Sequence, residues 1–213
     1  MSCTSEQIIT IFRRMAETVD QNEPYLNELD SIIGDAEHGL NLKRAFTIIM
    51  EKIDSFQSFE PAEIVKKVGT VLAGAGCGSG PIFYGLAIRA AGNSFLKNGF
   101  ATTDQVALGL EAALGAIKEK GGADLGYKTM VDAIDPAVKA FRARADAGAA
   151  VGDALDAAVA AAGQGMKSTI AMVGKKGRSF HAGERGTGHQ DPGATSAYLL
   201  FKSIADTIKT FKS

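Results

Sequence analysis

The sequence predicts an all-helical fold built from about eight helices packed as an antiparallel bundle. Three observations predict it. Apolar residues recur at helical spacing through almost the whole chain. No stretch shows sustained apolar–polar alternation or a hairpin dipeptide between β-branched runs. The breaks between periodic segments are mostly short and glycine-rich, which makes consecutive helices antiparallel neighbours.

The elements follow in order. Thr4–Gln7 reads as a capping box, with Ile8, Ile9, Phe12, Met15, Ala16 and Val19 on one face behind it. Pro24 opens a short second helical stretch through Tyr25, Leu26 and Leu29. Leu42, Ala45, Phe46, Ile49 and Ile53 form the next stripe. Pro61 suits a first helical turn ahead of Ile64, Val65, Val68 and Leu72. Pro81 restarts the chain through Ile82, Phe83, Leu86, Ile88 and Ala91. Thr103 or Asp104 caps a helix over Val106–Lys120 that stops at Gly121 and Gly122. Thr129 begins another, which Pro136 should kink or restart. The alanine-rich Asp153–Met172 is strongly helix-prone. Asp191 and Pro192 are a cap and first position for the last helix.

Composition narrows the function classes. The chain has 213 residues, within reach of one domain at about 100–200 residues each, and no linker or low-complexity segment divides it. It is 46% apolar and 22% charged, typical of soluble globular proteins. A formal charge of −1 argues against a nucleic-acid partner or an anionic membrane surface. No apolar run is long enough to span a bilayer. The start, MSCTSEQIIT, lacks the basic and then apolar regions of a signal peptide, so a cytoplasmic location is expected. Cys3 and Cys77 fit two free thiols in a reducing compartment and form no zinc pattern.

Four polar loops, residues 34–39, 74–80, 121–128 and 174–191, hold the chemistry. In an up-and-down bundle, loops of the same end meet. LDSIIGDAEHGLNLKRAF crowds Asp30, Asp35 and Glu37 beside His38 and Asn41. These oxygens suit a hard cation: magnesium takes one or two carboxylates plus substrate phosphates. Alternatively this is a solvated acidic turn, with a structural histidine. GAGCGSGP, Gly74–Pro81, bares backbone N–H groups before a helix start and adds the Ser79 hydroxyl, a phosphate cradle without a Walker lysine. A tight turn between packed helices is the plainer account of that loop. Arg178 and Arg185 are candidate phosphate clamps, Arg185 being the more readily assigned to solvent.

LDSIIGDAEHGLNLKRAF, GCGSGPIFYG, KTMVDAIDP and KGRSFHAGERGTGHQDPGATS, in this order and spacing, resemble the DhaL-type nucleotide-binding subunits of bacterial dihydroxyacetone kinases and the matching C-terminal domain of single-chain dihydroxyacetone kinases. The resemblance runs from Leu29 to the last helix. It implies an eight-helix antiparallel barrel with the nucleotide in the loops at one end. It implies two Mg²⁺ ions on Asp30, Asp35 and Glu37, bridging the phosphates of ADP or ATP. His38 and Asn41 match residues near the phosphates, and Ser79 with Gly80 matches the phosphate loop. Gly121 and Met130 match the adenine pocket; Arg178, Asp191, Pro192 and Gly193 match further nucleotide contacts. No catalytic residue is assigned with certainty to this chain, His38 and Arg178 being the phosphoryl-positioning candidates.

As implied partners, a separate sugar-binding subunit carries dihydroxyacetone or a related short ketose such as erythrulose. A phosphoenolpyruvate-fed subunit is the phosphoryl donor where ADP is a fixed cofactor, and ATP is an exchangeable substrate otherwise. A homodimer is left open. The chain departs from the family pattern at Glu37 (usually Asp), Tyr127 (usually acidic) and Cys77–Gly78 (usually Gly-Ala). Glu37 and Tyr127 keep open a non-catalytic, nucleotide-sensing paralogue.

Overall fold

The computed structural model describes residues 3–211. Among them lie nine α-helices and three 3₁₀ turns, and no strand. The helices are α1 (Ser5–Ile33), α2 (His38–Met50), α3 (Pro61–Ala73), α4 (Ser79–Asn98), α5 (Thr103–Gly121), α6 (Val131–Asp146), α7 (Val151–Ser168), the six-residue α8 (Gly177–Ala182) and α9 (Pro192–Thr210). The expected count of about eight holds for the long helices; α8 is a short addition inside the last polar loop.

Local signals set most helix starts. Thr4 and Gln7 make the reciprocal capping box of α1. Pro61 is in the first turn of α3, with a second box between Glu60 and Glu63. Asp191 Oδ1 accepts the Ala194 N–H at 2.7 Å and Pro192 follows in the first turn of α9. The cap of α5 is one residue earlier than expected: Thr102 Oγ1 accepts the Gln105 N–H and the Gln105 side chain returns to the Thr102 N–H. The glutamine three places on selects Thr102, because Thr103 or Asp104 would face Val106 or Ala107 at that position.

Neither Pro24 nor Pro136 starts a separate helix. α1 runs unbroken through Pro24, so the two expected N-terminal helices are one of 29 residues. Pro24 and Asp20, whose carbonyl loses its helical donor, are both exposed, so water can serve that oxygen. The stripe continues past it through the buried Leu26, Asp30 and Ile33. Pro136 lies inside α6 and frees the Asp132 carbonyl. Gly165 of α7 packs against that oxygen so closely that a Cβ there would sit 2.0 Å from it.

Each long helix packs against its sequence neighbour, and α9 packs against both α7 and α1, so the eight long helices close a ring. One large core cluster draws on all eight long helices, with Phe46, Leu72 and Val131 fully buried. A smaller one around Phe141 joins α5, α6, α7 and α9. An apolar cavity of about 240 Å³ lies within the ring, lined by Phe12, Tyr84, Ile134 and Leu200 among others. Cys3 and Cys77 are free thiols, as expected. Among the described residues, no helix is long and apolar enough to cross a membrane.

Candidate functional site

The connections α1–α2, α3–α4, α5–α6 and α7–α9 alternate around the ring, which brings all four polar loops to one end. A cavity of about 260 Å³ opens there. Nine of the residues expected to bind nucleotide line it: His38, Ser79, Gly80, Gly121, Met130, Arg178, Asp191, Pro192 and Gly193. Asp30 lines it from the acidic loop; Asp35, Glu37 and Asn41 do not. Arg185 is exposed in a 3₁₀ turn and takes no part in the lining.

The acidic loop is organised around Asp30, which is 3% exposed at the end of α1. Its Oδ2 accepts the backbone N–H groups of Glu37 (3.0 Å) and His38 (3.2 Å), the start of α2. Ala36, immediately before Glu37, takes φ 63°, an uncommon conformation for a residue with a Cβ. Gly34 is required beneath Asp30, since a Cβ there would sit 2.1 Å from Asp30 Oδ1. Burial pushes the Asp30 carboxyl above its ordinary range; the two N–H groups oppose this, and the Asp35 side chain, within hydrogen-bonding reach, adds to the rise. Asp35 Oδ2 pairs with Arg178 at 2.5 Å.

Two neighbouring carboxylates, one of them buried, are an arrangement that a cation relieves. Among the described residues, no three His, Cys, Asp or Glu side chains are gathered closely enough to hold a metal ion by themselves. Asp30 and Asp35 nevertheless match what magnesium asks of protein when phosphates complete its shell. Glu37 contributes its backbone N–H at this point.

The acidic and glycine loops touch. A Cβ on Gly80 would meet His38 Cε1 at 3.2 Å, and one on Gly78 would meet Asn41 Nδ2 at 3.0 Å. Asn41 therefore buttresses the glycine loop from behind. His38 Nε2 lies 2.9 Å from Ser196 Oγ, which lies 2.7 Å from the Tyr84 hydroxyl; both hydroxyls can donate to the Gly193 carbonyl. Burial lowers the His38 pKa to about 4, with Asp35 opposing, so the ring is neutral at physiological pH. Burial also raises Asp191 to about 7, against the Ala194 N–H and the Lys128 charge.

Gly78 precedes α4 with φ 86° and ψ 179°, a region open essentially to glycine. Gly78→Ala should cost about 1–3 kcal/mol of stability from that strain. It should also push Asn41 away and weaken ligand binding at the loop. Denaturant unfolding alongside ligand titration checks both.

Against known sequences, the DAK2 domain model matches residues 32–206. The chain belongs to the DAK2 domain family. It is 36% identical over 206 residues to the "PEP-dependent dihydroxyacetone kinase, ADP-binding subunit DhaL" of Escherichia coli K12, covering 96% of this chain and 98% of that protein. Identity is 33% to the corresponding subunit of a second such kinase in Listeria innocua, over 93% of both. Among solved structures, the dihydroxyacetone kinase of C. freundii in complex with AMP-PNP and Mg²⁺ superposes with a TM-score of 0.73 at 25% identity. That match covers 97% of this chain and 34% of the other, so this DAK2 chain spans about a third of the kinase's length.

Sequence reasoning missed several DAK2 cavity residues, among them Phe83, Ile117, Lys128, Thr129 and Lys176. Phe83 reads as one of the apolar positions at helical spacing after Pro81, and Ile117 falls within the helix expected over Val106–Lys120 with nothing to single it out. Lys176 sits beside Arg178 in an evidently basic loop and could have been grouped with it. Lys128 carries no periodic signal, since three separate loops bury it.

Proposed function

We propose that this chain is the nucleotide-binding subunit of a multi-subunit dihydroxyacetone kinase, a phosphotransferase with an alcohol acceptor. The observation that carries this reading is the convergence of four loops on one cavity, lined by Ser79 and Gly80 of the glycine loop, Asp30 of the acidic loop, and Arg178. The nucleotide is ADP or ATP with magnesium, and two ions are the number the resemblance favours. Residues 1–213 act as one domain of this kind, and a cytoplasmic location fits the two free thiols.

Asp30 and Asp35 would hold the metal with phosphates completing its shell, and Glu37, the third acid implied by the resemblance, offers its backbone N–H to Asp30 here. Bound magnesium would offset charge on the phosphates during a loose phosphoryl transfer. The glycine loop bears the phosphates on backbone N–H groups and the Ser79 hydroxyl. Arg178, 61% exposed at its side chain, exchanges Asp35 for a phosphate oxygen. Neutral His38, held by Ser196, lines the phosphate side as a hydrogen-bonding group and carries no charge there. Met130 and Gly121 form the base wall.

The acceptor, dihydroxyacetone or a related short ketose such as erythrulose, belongs to a sugar-binding partner subunit. A phosphoenolpyruvate-fed donor subunit completes the system if ADP stays bound. The test is the nucleotide and magnesium content of the purified, desalted chain, with and without chelator. Near-stoichiometric ADP released by chelator is the expected result, and identifies a fixed cofactor. An empty chain that binds ADP and ATP reversibly supports exchangeable ATP within the same reading. A chain that binds neither overturns the kinase reading in favour of a non-catalytic paralogue.

A further inference from the structure

Lys128 has no assigned part in the site, yet its position is unusual on three counts. Its side chain is 0% exposed although it lines the nucleotide cavity. Its φ is 60°, a conformation that residues with a Cβ seldom adopt. Its ammonium donates to two backbone carbonyls from different segments, Thr169 at 2.5 Å and His189 at 2.6 Å. Burial lowers the Lys128 pKa, opposed by the Asp191 and Asp132 charges.

The surroundings enforce that backbone. The Asp132 carboxylate accepts the Gly126 N–H at 2.5 Å and the Thr129 N–H at 2.8 Å, closing the turn around Lys128. Ser179 Oγ donates to the Lys128 carbonyl at 2.9 Å. Three segments cross here. The Lys175 N–H bonds the Tyr127 carbonyl, the Gly188 N–H bonds the Ile170 carbonyl, and the Asp191 N–H bonds Thr169 Oγ1. These segments carry Met130, Arg178 and Asp191–Gly193 into the cavity. A long side chain with donors and no acceptor is what two inward carbonyls at a dry crossing require.

We propose that Lys128 is a positioning residue for the nucleotide site. Its ammonium fastens the 169–176 and 183–191 segments to the α5–α6 loop, and so sets the opening between the Met130 wall and Asp191–Gly193. This rests on the reading that the cavity takes a nucleotide.

Lys128→Met keeps the length and removes both donors. ADP titration with magnesium, thermal unfolding, and amide exchange at Lys175 and Gly188 are measured on the full chain. Phe141→Leu, in the smaller core cluster away from the cavity, supplies a control that loses stability by packing alone. Losing both charged hydrogen bonds should weaken ADP by about tenfold or more. It should also speed exchange at Lys175 and Gly188, while Phe141→Leu leaves both at wild-type values. Unchanged ADP affinity in Lys128→Met, or equal weakening in Phe141→Leu, overturns the proposal. If Lys128→Met does not fold, Lys128→Gln, which keeps one amide donor group, is measured in its place. Wild-type protein that binds no ADP counts against the nucleotide reading. Exchange at Lys175 and Gly188 then still decides whether Lys128 fastens the loops, unaltered rates overturning it.

Discussion

Asp30→Ala is expected to weaken magnesium-dependent ADP binding by on the order of 100-fold, because two hydrogen bonds to a charged acceptor are lost at about 1.5–3 kcal/mol each before any loss at the metal is counted. The bonds are those from the Glu37 and His38 N–H groups to Asp30 Oδ2. They hold the acidic loop against α1 and start α2, so their loss also releases Asp35 and His38. Asp30→Asn separates the two roles, since its amide oxygen can still accept the N–H groups but carries no charge. If metal holding is the larger part, Asp30→Asn binds ADP as poorly as Asp30→Ala, and chelator makes little further difference to either. If loop support is the larger part, Asp30→Asn stays near wild type. Calorimetric titration with ADP, in magnesium and in chelator, distinguishes these outcomes. Undiminished affinity in Asp30→Ala would contradict the assignment of this end of the ring as the metal and phosphate site.

Gly85→Ala should be strongly destabilising, because its added methyl meets backbone and not a side chain that could move. The added Cβ would lie 2.2 Å from the Ala73 backbone nitrogen and 2.6 Å from its Cα, where α4 crosses α3. Backbone cannot rotate aside as a side chain can, so the helices must separate. Overpacking of this kind costs about 3 kcal/mol or more, which outweighs the roughly 0.5–1 kcal/mol that alanine gains over glycine within a helix. For a chain of this size that loss lowers the melting midpoint by about 6–12 °C. A Cβ on Gly69 or Gly92 would meet the backbone of the facing helix at 2.2 or 2.5 Å in the same way, so the α3–α4 contact is a glycine-lined crossing along its length. Because α4 begins at Ser79 and Gly80, spreading the pair also displaces the cavity wall, and ADP affinity should fall with stability. Gly115 on α5 has open space where a Cβ would go. Gly115→Ala should therefore stabilise by about 0.5–1 kcal/mol, the propensity gain alone. Thermal unfolding of the two variants side by side checks the contrast, and a stable Gly85→Ala would mean that the helices do not approach this closely.

Features decided within a few residues were legible in the sequence. The Thr4–Gln7 box, Pro61 at a helix start and the Asp191–Pro192 cap each depend on atoms three or four positions apart. Helical class, helix order and the four polar loops follow from periodicity and glycine, so their meeting at one end followed from alternating helix direction. The tertiary structure decided whatever depends on what lies across the ring. Pro24 and Pro136 look alike as helix breakers, but Pro24 leaves its orphaned carbonyl on an exposed face and Pro136 leaves its own under Gly165 of α7. Asp35 and Arg178 lie far apart in sequence and pair directly, while Asp30, written as one acid among three, is the buried one that organises its loop. Lys128 shows the limit most clearly. Both carbonyl partners of its buried ammonium come from segments 41 and 61 residues away. By itself the sequence determined the helices and which end of the bundle holds the polar chemistry, because those are short-range and periodic. Only the tertiary structure decided which polar groups are dry, paired or strained, because desolvation and charge pairing are properties of the assembled neighbourhood.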